Sequence, residues 1–278
     1  MHPGTLRDLA VARVGRAYAG KWTIESLIDM GGMAAVYAGT HRNGKRVALK
    51  VLHEHIAKDP DLRARFLREG YVANLIEHPG AVQILDDHDD PVHNEVLLVM
   101  ELLGGKDLGV ILQGEGTIPF DRVARIVSQV CASLQQAHDK GIVHRDLKPE
   151  NIRILDDREV REFAKVLDFG LAKLRETGEQ GNANITQHGI LVGTPFYMAP
   201  EQIRGESLDP RSDLYALGAV MYKAVCGVPP FWAPTPVGVL TKHLHPAPVH
   251  GYVIKGRWRY LEHDWTAETG SYVFEPPG

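Results

Sequence analysis

Only two of the 278 residues are cysteine, Cys131 and Cys226, and neither sits at a metal-ligand spacing. Both fall in runs that read as helix. Buried, reduced thiols of a cytoplasmic protein are therefore expected, and a disulfide framework is excluded. Long apolar runs are missing as well. Nothing approaches the ~18 consecutive apolar residues that crossing a bilayer requires, so no membrane segment is expected in this chain. The first twenty residues, MHPGTLRDLAVARVGRAYAG, are broken by Arg7, Arg13 and Arg16; they read as an N-terminal extension over 1–20, not a signal peptide. An excess of positive charge is also absent. The net charge of −4 argues against a general binder of nucleic acid or membrane surfaces. There are no internal repeats and no low-complexity tract.

What is present is ordinary globular composition, 44% hydrophobic and 24% charged, enough for one large domain or two lobes. From Lys21 to Met100 the pattern is mostly strand. Asn43-Gly44 between "AAVYAGTHR" and "KRVALKVL" predicts a hairpin. In "RVALKVL", Ala48, Lys50 and Leu52 share one face and Val47, Leu49 and Val51 the other. "DPDLRARFLREGYVANLIEHPG" predicts a helix starting at Pro60. Leu62, Phe66, Ala73 and Ile76 fall in one arc of it, with Glu69 in the middle. A carboxylate there needs a partner, and Lys50 is the nearest. Gly70 weakens this helix by roughly 1 kcal/mol relative to Ala, which suits an element that shifts.

Residues 86–94, "DDHDDPVHN", read as a polar turn, and "EVLLVMEL" as a buried strand that "LGGKDL" breaks. The chain then turns helical. Val123, Ile126, Val127, Val130, Leu134 and Ala137 form a stripe that Gly141 ends. "DLYALGAVMYKAVCG" is apolar almost all round and predicts a helix buried on every side. A strand-rich part followed by a helical part, with the boundary near Gly104-Gly105, predicts a ligand cleft between them.

The stretch "HRDLKPEN" puts Asp146, Lys148 and Asn151 in one short loop, and "LDFG" places Asp168 after a short apolar strand. Asn151 and Asp168 are hard oxygen ligands suited to Mg²⁺, with Mn²⁺ as a substitute. Asp146 can accept a hydroxyl proton, and Lys148 can offset charge on a moving phosphate.

Taken in order, "VALK", Glu69, "HRDLKPEN", "DFG", "GTPFYMAPE" and "DLYALG" resemble the signature set of the eukaryotic-type (Hanks-type) protein kinases, and more narrowly the bacterial serine/threonine kinases, over roughly residues 21–245. The resemblance implies an α+β, two-lobed fold: an antiparallel-sheet N-lobe with one main helix over 21–103, and a mainly helical C-lobe over 104–248. It implies ATP as substrate and Mg²⁺ as cofactor. Lys50 would hold the α- and β-phosphates and pair with Glu69. Ile28, Asp29, Gly31 and Gly32 would lie in the loop over the nucleotide, with Val36 and Ala48 as the roof over adenine. Met100 would guard the back of the pocket, the backbone of Glu101 and Leu103 would bond adenine, and Asp107 would meet the ribose. Asp213 would brace the catalytic loop. Arg145 marks kinases switched on by phosphorylation of the segment Leu171–Ala199, where Thr186 is the first candidate and Thr177 the second. Thr194, with Lys148, fits the Ser/Thr pattern.

Three departures stand out. Asp29 and Ala34 replace the first and third glycines of the phosphate loop. A carboxylate pointing inward at ~8 Å from a phosphate charge would cost roughly 2 kcal/mol. Arg153 stands where the family has an apolar floor under adenine, free to stack on the base or to swing out. After "VLTKHLHPAP" the family's last helices are missing, together with the arginine that pairs with Glu201. Residues 249–278 form an atypical ending, from which Arg257 or Arg259 would have to reach Glu201. His243, His245, His250 and His263 lack a zinc pattern. The function expected is a cytoplasmic protein serine/threonine kinase that phosphorylates proteins, itself included. The alternative is a pseudokinase or signalling scaffold with weakened nucleotide binding.

Overall fold

The computed structural model describes residues 5–157, 161–169 and 195–244, together with the backbone of short strands between 249 and 275. The first half is one six-stranded antiparallel sheet in the order β1-β2-β3-β4-β6-β5. Its strands are β1 (Ala17–Tyr18), β2 (Trp22–Met30), β3 (Ala34–His41), β4 (Arg46–Leu52), β5 (Ile84–Asp90) and β6 (Glu95–Glu101). The β3–β4 hairpin turns at Asn43-Gly44. Gly44 has φ +87°, and Asn43 Oδ1 accepts the Lys45 N–H at 3.0 Å. In the resulting register Val36 lies opposite Lys50 and Ala38 opposite Ala48.

The two faces of β4 bury different cores, as the alternation requires. Val47, Leu49 and Val51 pack with Trp22, Tyr37, Leu97 and Val99 on one side. On the other, Leu52 joins Ala34, Phe66 and Leu98, and Ala48 joins Val82 and Met100.

The N-terminal extension belongs to this lobe and does not trail from it. Helix α1 (Leu6–Val11) is capped reciprocally by Thr5 and Asp8, and Ala10 and Tyr18 are buried in the core above β4. The Tyr37 hydroxyl donates to Ala10 O at 3.1 Å. Small and aromatic residues between arginines gave no periodicity that marked this contact.

A short helix α2 (Glu54–Ala57) leads into α3 (Pro60–Asn74). Asp59 caps α3 by accepting the N–H groups of Asp61 and Leu62, with Pro60 at the first turn. Its buried side carries Arg63, Phe66, Glu69, Gly70 and Ala73. Gly70 has a packing role that its helix propensity does not express: a Cβ there would stand 2.6 Å from Leu98 Cδ2 on β6. Residues 86–90, expected as turn, are the outer strand β5, paired to β6 from Asp86↔Val99 to Asp90↔Glu95. An edge strand has one face in water, so its acidic residues stay hydrated, and charge there discourages pairing with another sheet.

The second part begins with β7 (Lys106–Asp107) and α4 (Leu108–Glu115), followed by α5 (Phe120–Asp139). The stripe of α5 is buried as Val123, Ile126, Val130, Leu134 and Ala137. Strand β8 (Ile152–Asp157) pairs with β7 on one side and with β9 (Arg161–Val166) on the other in a small sheet. Helices α6 (Pro200–Arg204), α7 (Pro210–Cys226) and α8 (Pro236–Leu244) complete this part. Beyond α8 the described backbone is strand, with Val249–Tyr252 antiparallel to Tyr272–Glu275.

Two expectations are corrected here. Helix α7 buries Ala216, Leu217, Ala219, Val220 and Ala224, but Leu214, Tyr222 and Val225 are exposed, Leu214 by 52%. Together with Gly218 they form a stripe spaced four, four and three residues apart that no described residue covers. Cys226, at the open end of the same helix, is exposed, while Cys131 is partly buried; both are free.

Candidate active site

The loop from His144 to Asn151 hangs from one buried carboxylate on α7. Asp213 Oδ1 accepts the Arg145 N–H at 2.8 Å, and Oδ2 accepts the His144 N–H at 2.8 Å and His138 Nε2 at 2.7 Å. On the other side of Arg145, Gln202 Nε2 donates to its carbonyl at 2.7 Å. Gripped at both ends, Arg145 sits at φ +70°, a left-handed conformation that a non-glycine residue keeps only when its surroundings impose it.

The fully buried His144 ring is fixed as well. Its Nδ1 accepts the Asp146 N–H at 3.3 Å, so its proton is on Nε2, which donates to Leu167 O at 2.8 Å. This ring thereby ties the Asp146 loop to the residue before Asp168. Phe169 packs edge-on against it, ring centres 5.0 Å apart.

Lys148 Nζ lies 2.8 Å from Asp146 Oδ2, on the open side of the loop. Asn151 is buried and donates Nδ2 to Asp146 O at 2.7 Å. Its Oδ1 accepts from no described group. Asp168, at φ +58°, offers its carboxylate nearby.

The lysine–glutamate pair expected between β4 and α3 is not made. Lys50 Nζ sits on Asp168 Oδ1 at 2.7 Å, and neither carboxylate oxygen of Glu69 has a hydrogen-bond partner among the described residues. Burial, with the charge of Asp168 adding and that of Lys50 partly offsetting, pushes the Glu69 pKa up to about 8. Glu69 is 8% exposed, while the Asp168 side chain is 33% exposed and loses less hydration on pairing. The ammonium therefore goes to the better-solvated carboxylate.

Above this cluster Val36, Ala48, Met100 and Leu103 pack together with Val82 and Leu167 in one apolar group. The Glu101 carboxylate is taken by Lys165, 2.5 Å away, and by the Gln83 N–H. No described protein group bonds the backbone N–H of Leu103. Gly105 turns the chain onto β8, where a Cβ would meet Ile154 O at 1.9 Å.

Arg153 takes the outward course. Its Nε donates to Gly104 O at 2.8 Å, and its Nη1 is 3.8 Å from Asp107 Oδ2. Asp107 Oδ1 is occupied by the Val110 N–H as the cap of α4. Ile28 and Asp29, expected in the loop, lie at the end of strand β2, where Asp29 pairs with Val36; both are exposed, and the Asp29 carboxylate folds back on the Met30 N–H at 2.7 Å. The tip at Gly31 and Gly32 is held from below its own hairpin: His53 Nε2 is 2.9 Å from Gly31 O. Glu201 accepts the Ser212 hydroxyl at 2.5 Å. Thr177, Thr186 and Thr194, and the side chains of Arg257 and Arg259, lie outside the described residues.

Sequence reading missed His53, His138, Gln202, Val82 and Leu167. Leu167 stands beside Asp168 in "LDFG" and Gln202 follows Glu201, so adjacency was a usable signal for these two. Nothing in periodicity or spacing singles out His53, His138 or Val82, which matter only through contacts distant in sequence.

Comparison with known proteins agrees with this geometry. Residues 22–252 match the protein kinase domain family. Over 236 residues the chain is 43% identical to serine/threonine-protein kinase pkn3 of Myxococcus xanthus, covering 84% of this chain and 43% of that protein. It is 42% identical to Pkn1 of the same organism over 88% of this chain and 34% of the relative. It is 38% identical to PknB of Mycolicibacterium smegmatis over 82% and 36%. The chain thus spans less than half the length of these relatives. On the ordered motifs, the Asp213-braced loop and these matches, it belongs to the protein kinase family, in the bacterial Hanks-type serine/threonine branch.

Proposed function

We propose that this chain transfers the γ-phosphoryl group of ATP to serine and threonine hydroxyls of proteins, itself included. The observation that carries the reading is the convergence of Asp146, Lys148, Asn151, Asp168 and Lys50 on one cleft, from elements far apart in sequence. Asp146, on the exposed side of its loop, accepts the proton of the incoming hydroxyl. Lys148 beside it offsets the charge of the phosphoryl group in transit.

The residues present fit Mg²⁺. Asn151 Nδ2 bonds Asp146 O, and neither Asn151 Oδ1 nor Asp168 Oδ2 accepts from a described group. These hard oxygens would hold the ion, and Mn²⁺ suits the same set. When bound, the ion neutralises charge on the phosphates. Lys50 takes the α- and β-phosphates. The apolar surface of Val36, Ala48, Val82, Met100, Leu103 and Leu167 takes the base, whose edge meets the backbone of Glu101 and Leu103. The methylene stem of Arg153 serves as floor while its head anchors to Gly104 O, and Asp107 Oδ2 faces the ribose. The lobes are residues 21–103, with the N-terminal extension packed onto them, and 104–248. Activation runs through phosphorylation of the segment before Ala199, at Thr186 or Thr177, read by Arg145.

Labelled ATP with Mg²⁺ tests this directly, with phosphosites mapped afterwards. Wild-type protein should label itself and a basic protein substrate. Asp146→Asn should lose about 10²–10⁴-fold in rate, and Lys50→Met should lose labelling as well. Unchanged labelling in Asp146→Asn would remove Asp146 as the base. No labelling and no thermal shift with Mg-ATP in the wild type would leave the scaffold reading in its place.

A further inference from the structure

The phosphate loop keeps one glycine of its pattern, Gly31, with Gly32 beside it, and the structure shows what steadies that tip. Glycine peptides rotate with little steric resistance, and a Cβ at Gly32 would touch nothing within 4 Å. A free Gly31–Gly32 peptide would sample both orientations. One of them turns a carbonyl dipole toward any anion below.

His53 removes that freedom. It is 5% exposed, and Nε2 lies 2.9 Å from Gly31 O. A carbonyl only accepts, so Nε2 carries the proton. The His53 N–H also donates to Met33 O at 2.8 Å, and the Gly31 N–H to Ala34 O at 2.9 Å. The carbonyls of Gly31, Met33 and Ala34 are therefore occupied. The N–H groups of Gly32 and Met33 have no described backbone acceptor. The His53 ring stacks on His55, centres 5.8 Å apart, and lines the cavity between β4 and α1, with Ala10 and Arg13. That is the side of the sheet away from Lys50. Across a trans peptide, C=O and N–H point in opposite directions. Drawing Gly31 O toward His53 therefore turns the Gly32 N–H toward the Lys50 side.

We propose that His53 is a positioning residue of the nucleotide site: by donating to Gly31 O it holds the loop tip with the Gly32 amide aimed at the phosphates. This rests on the reading of the cleft as an ATP site. The loop lost two glycines to Asp29 and Ala34, and a buried histidine supplies the order that remains.

The test is affinity for Mg-ATP and for adenosine, which has no phosphates, in wild type, His53→Leu and His53→Gln. Leucine removes the donor and keeps an apolar side chain. Glutamine offers an amide donor at similar reach. His53→Leu should weaken Mg-ATP about tenfold, the worth of one hydrogen bond to an oriented peptide. Adenosine affinity should stay unchanged, and His53→Gln should remain within about threefold of wild type. In turnover the loss should appear in the ATP KM, with kcat within about twofold. Equal losses for ATP and adenosine, no loss at all, or a glutamine variant as impaired as the leucine one would each overturn the proposal. Binding is read without turnover, so a wild type that binds ATP but transfers nothing refutes the activity and still decides the role of His53.

Discussion

At the scale of single residues the site is organised by two buried carboxylates treated in opposite ways. Asp213 is fully satisfied: three donors converge on it. Glu69 is buried with none. The difference sets two predictions. Asp213→Asn replaces one oxygen by an NH₂ group, so at least one N–H faces a donor in a buried site. The protein should lose about 3 kcal/mol or more by urea denaturation, and turnover should fall with it as Arg145 relaxes from its left-handed backbone.

For Glu69 the folded-state pKa of about 8 exceeds the ordinary 4.5. Both states hold the proton well below pH 4.5, so the residue is neutral in its effect there. Between pH 4.5 and 8 the unfolded chain releases the proton more readily, so folding stability falls as pH rises. Glu69→Gln removes that loss. Its Tm should match wild type near pH 4.5 and exceed it by several degrees at pH 9, in the absence of nucleotide. A difference that does not grow with pH would show that Glu69 is charged and paired in solution.

At the scale of elements, α3 shows why propensity alone misleads. Gly70 reads as a weak point worth roughly 1 kcal/mol. In the structure it is where the helix comes closest to β6, on Leu98. Gly70→Ala should therefore fail to stabilise. The propensity gain is outweighed by overpacking of about 1–3 kcal/mol, for a net loss of about 1 kcal/mol in chemical denaturation. In a Leu98→Ala background the same change should become neutral or stabilising. That coupling, above about 0.5 kcal/mol, is read from the double-mutant cycle. The outer strand β5 is a second case. An acidic run looks like a turn when only composition is weighed, yet backbone pairing to β6 makes it a strand. The helix of Val123 to Ala137 had no such ambiguity, because its 3.6-residue stripe is long and faces one core.

At the scale of the whole molecule, the second part packs around α7 on one side only. Val220 is buried and Leu214 is half exposed. Val220→Ala should cost about 2 kcal/mol, while Leu214→Ala should stay within about 0.5 kcal/mol. Equal costs would mean that the exposed stripe is covered in solution. The stripe lies where the expectation of all-round burial fails, and the reason is simple: an apolar helix states how much surface it can bury, not which neighbours exist to bury it.

The sequence by itself determined the family, the chain order of its motifs and the residues that carry charge into the cleft, because local spacing around Asp146 and Asp168 is specific chemistry written in a few adjacent positions. The tertiary structure decided the pairings. Lys50 meets Asp168 and not Glu69, Arg153 turns to Gly104, Ser212 meets Glu201, and His53 holds Gly31. These depend on burial and on distances between residues up to 118 positions apart. Desolvation and backbone approach set them, and neither is encoded in a window of sequence.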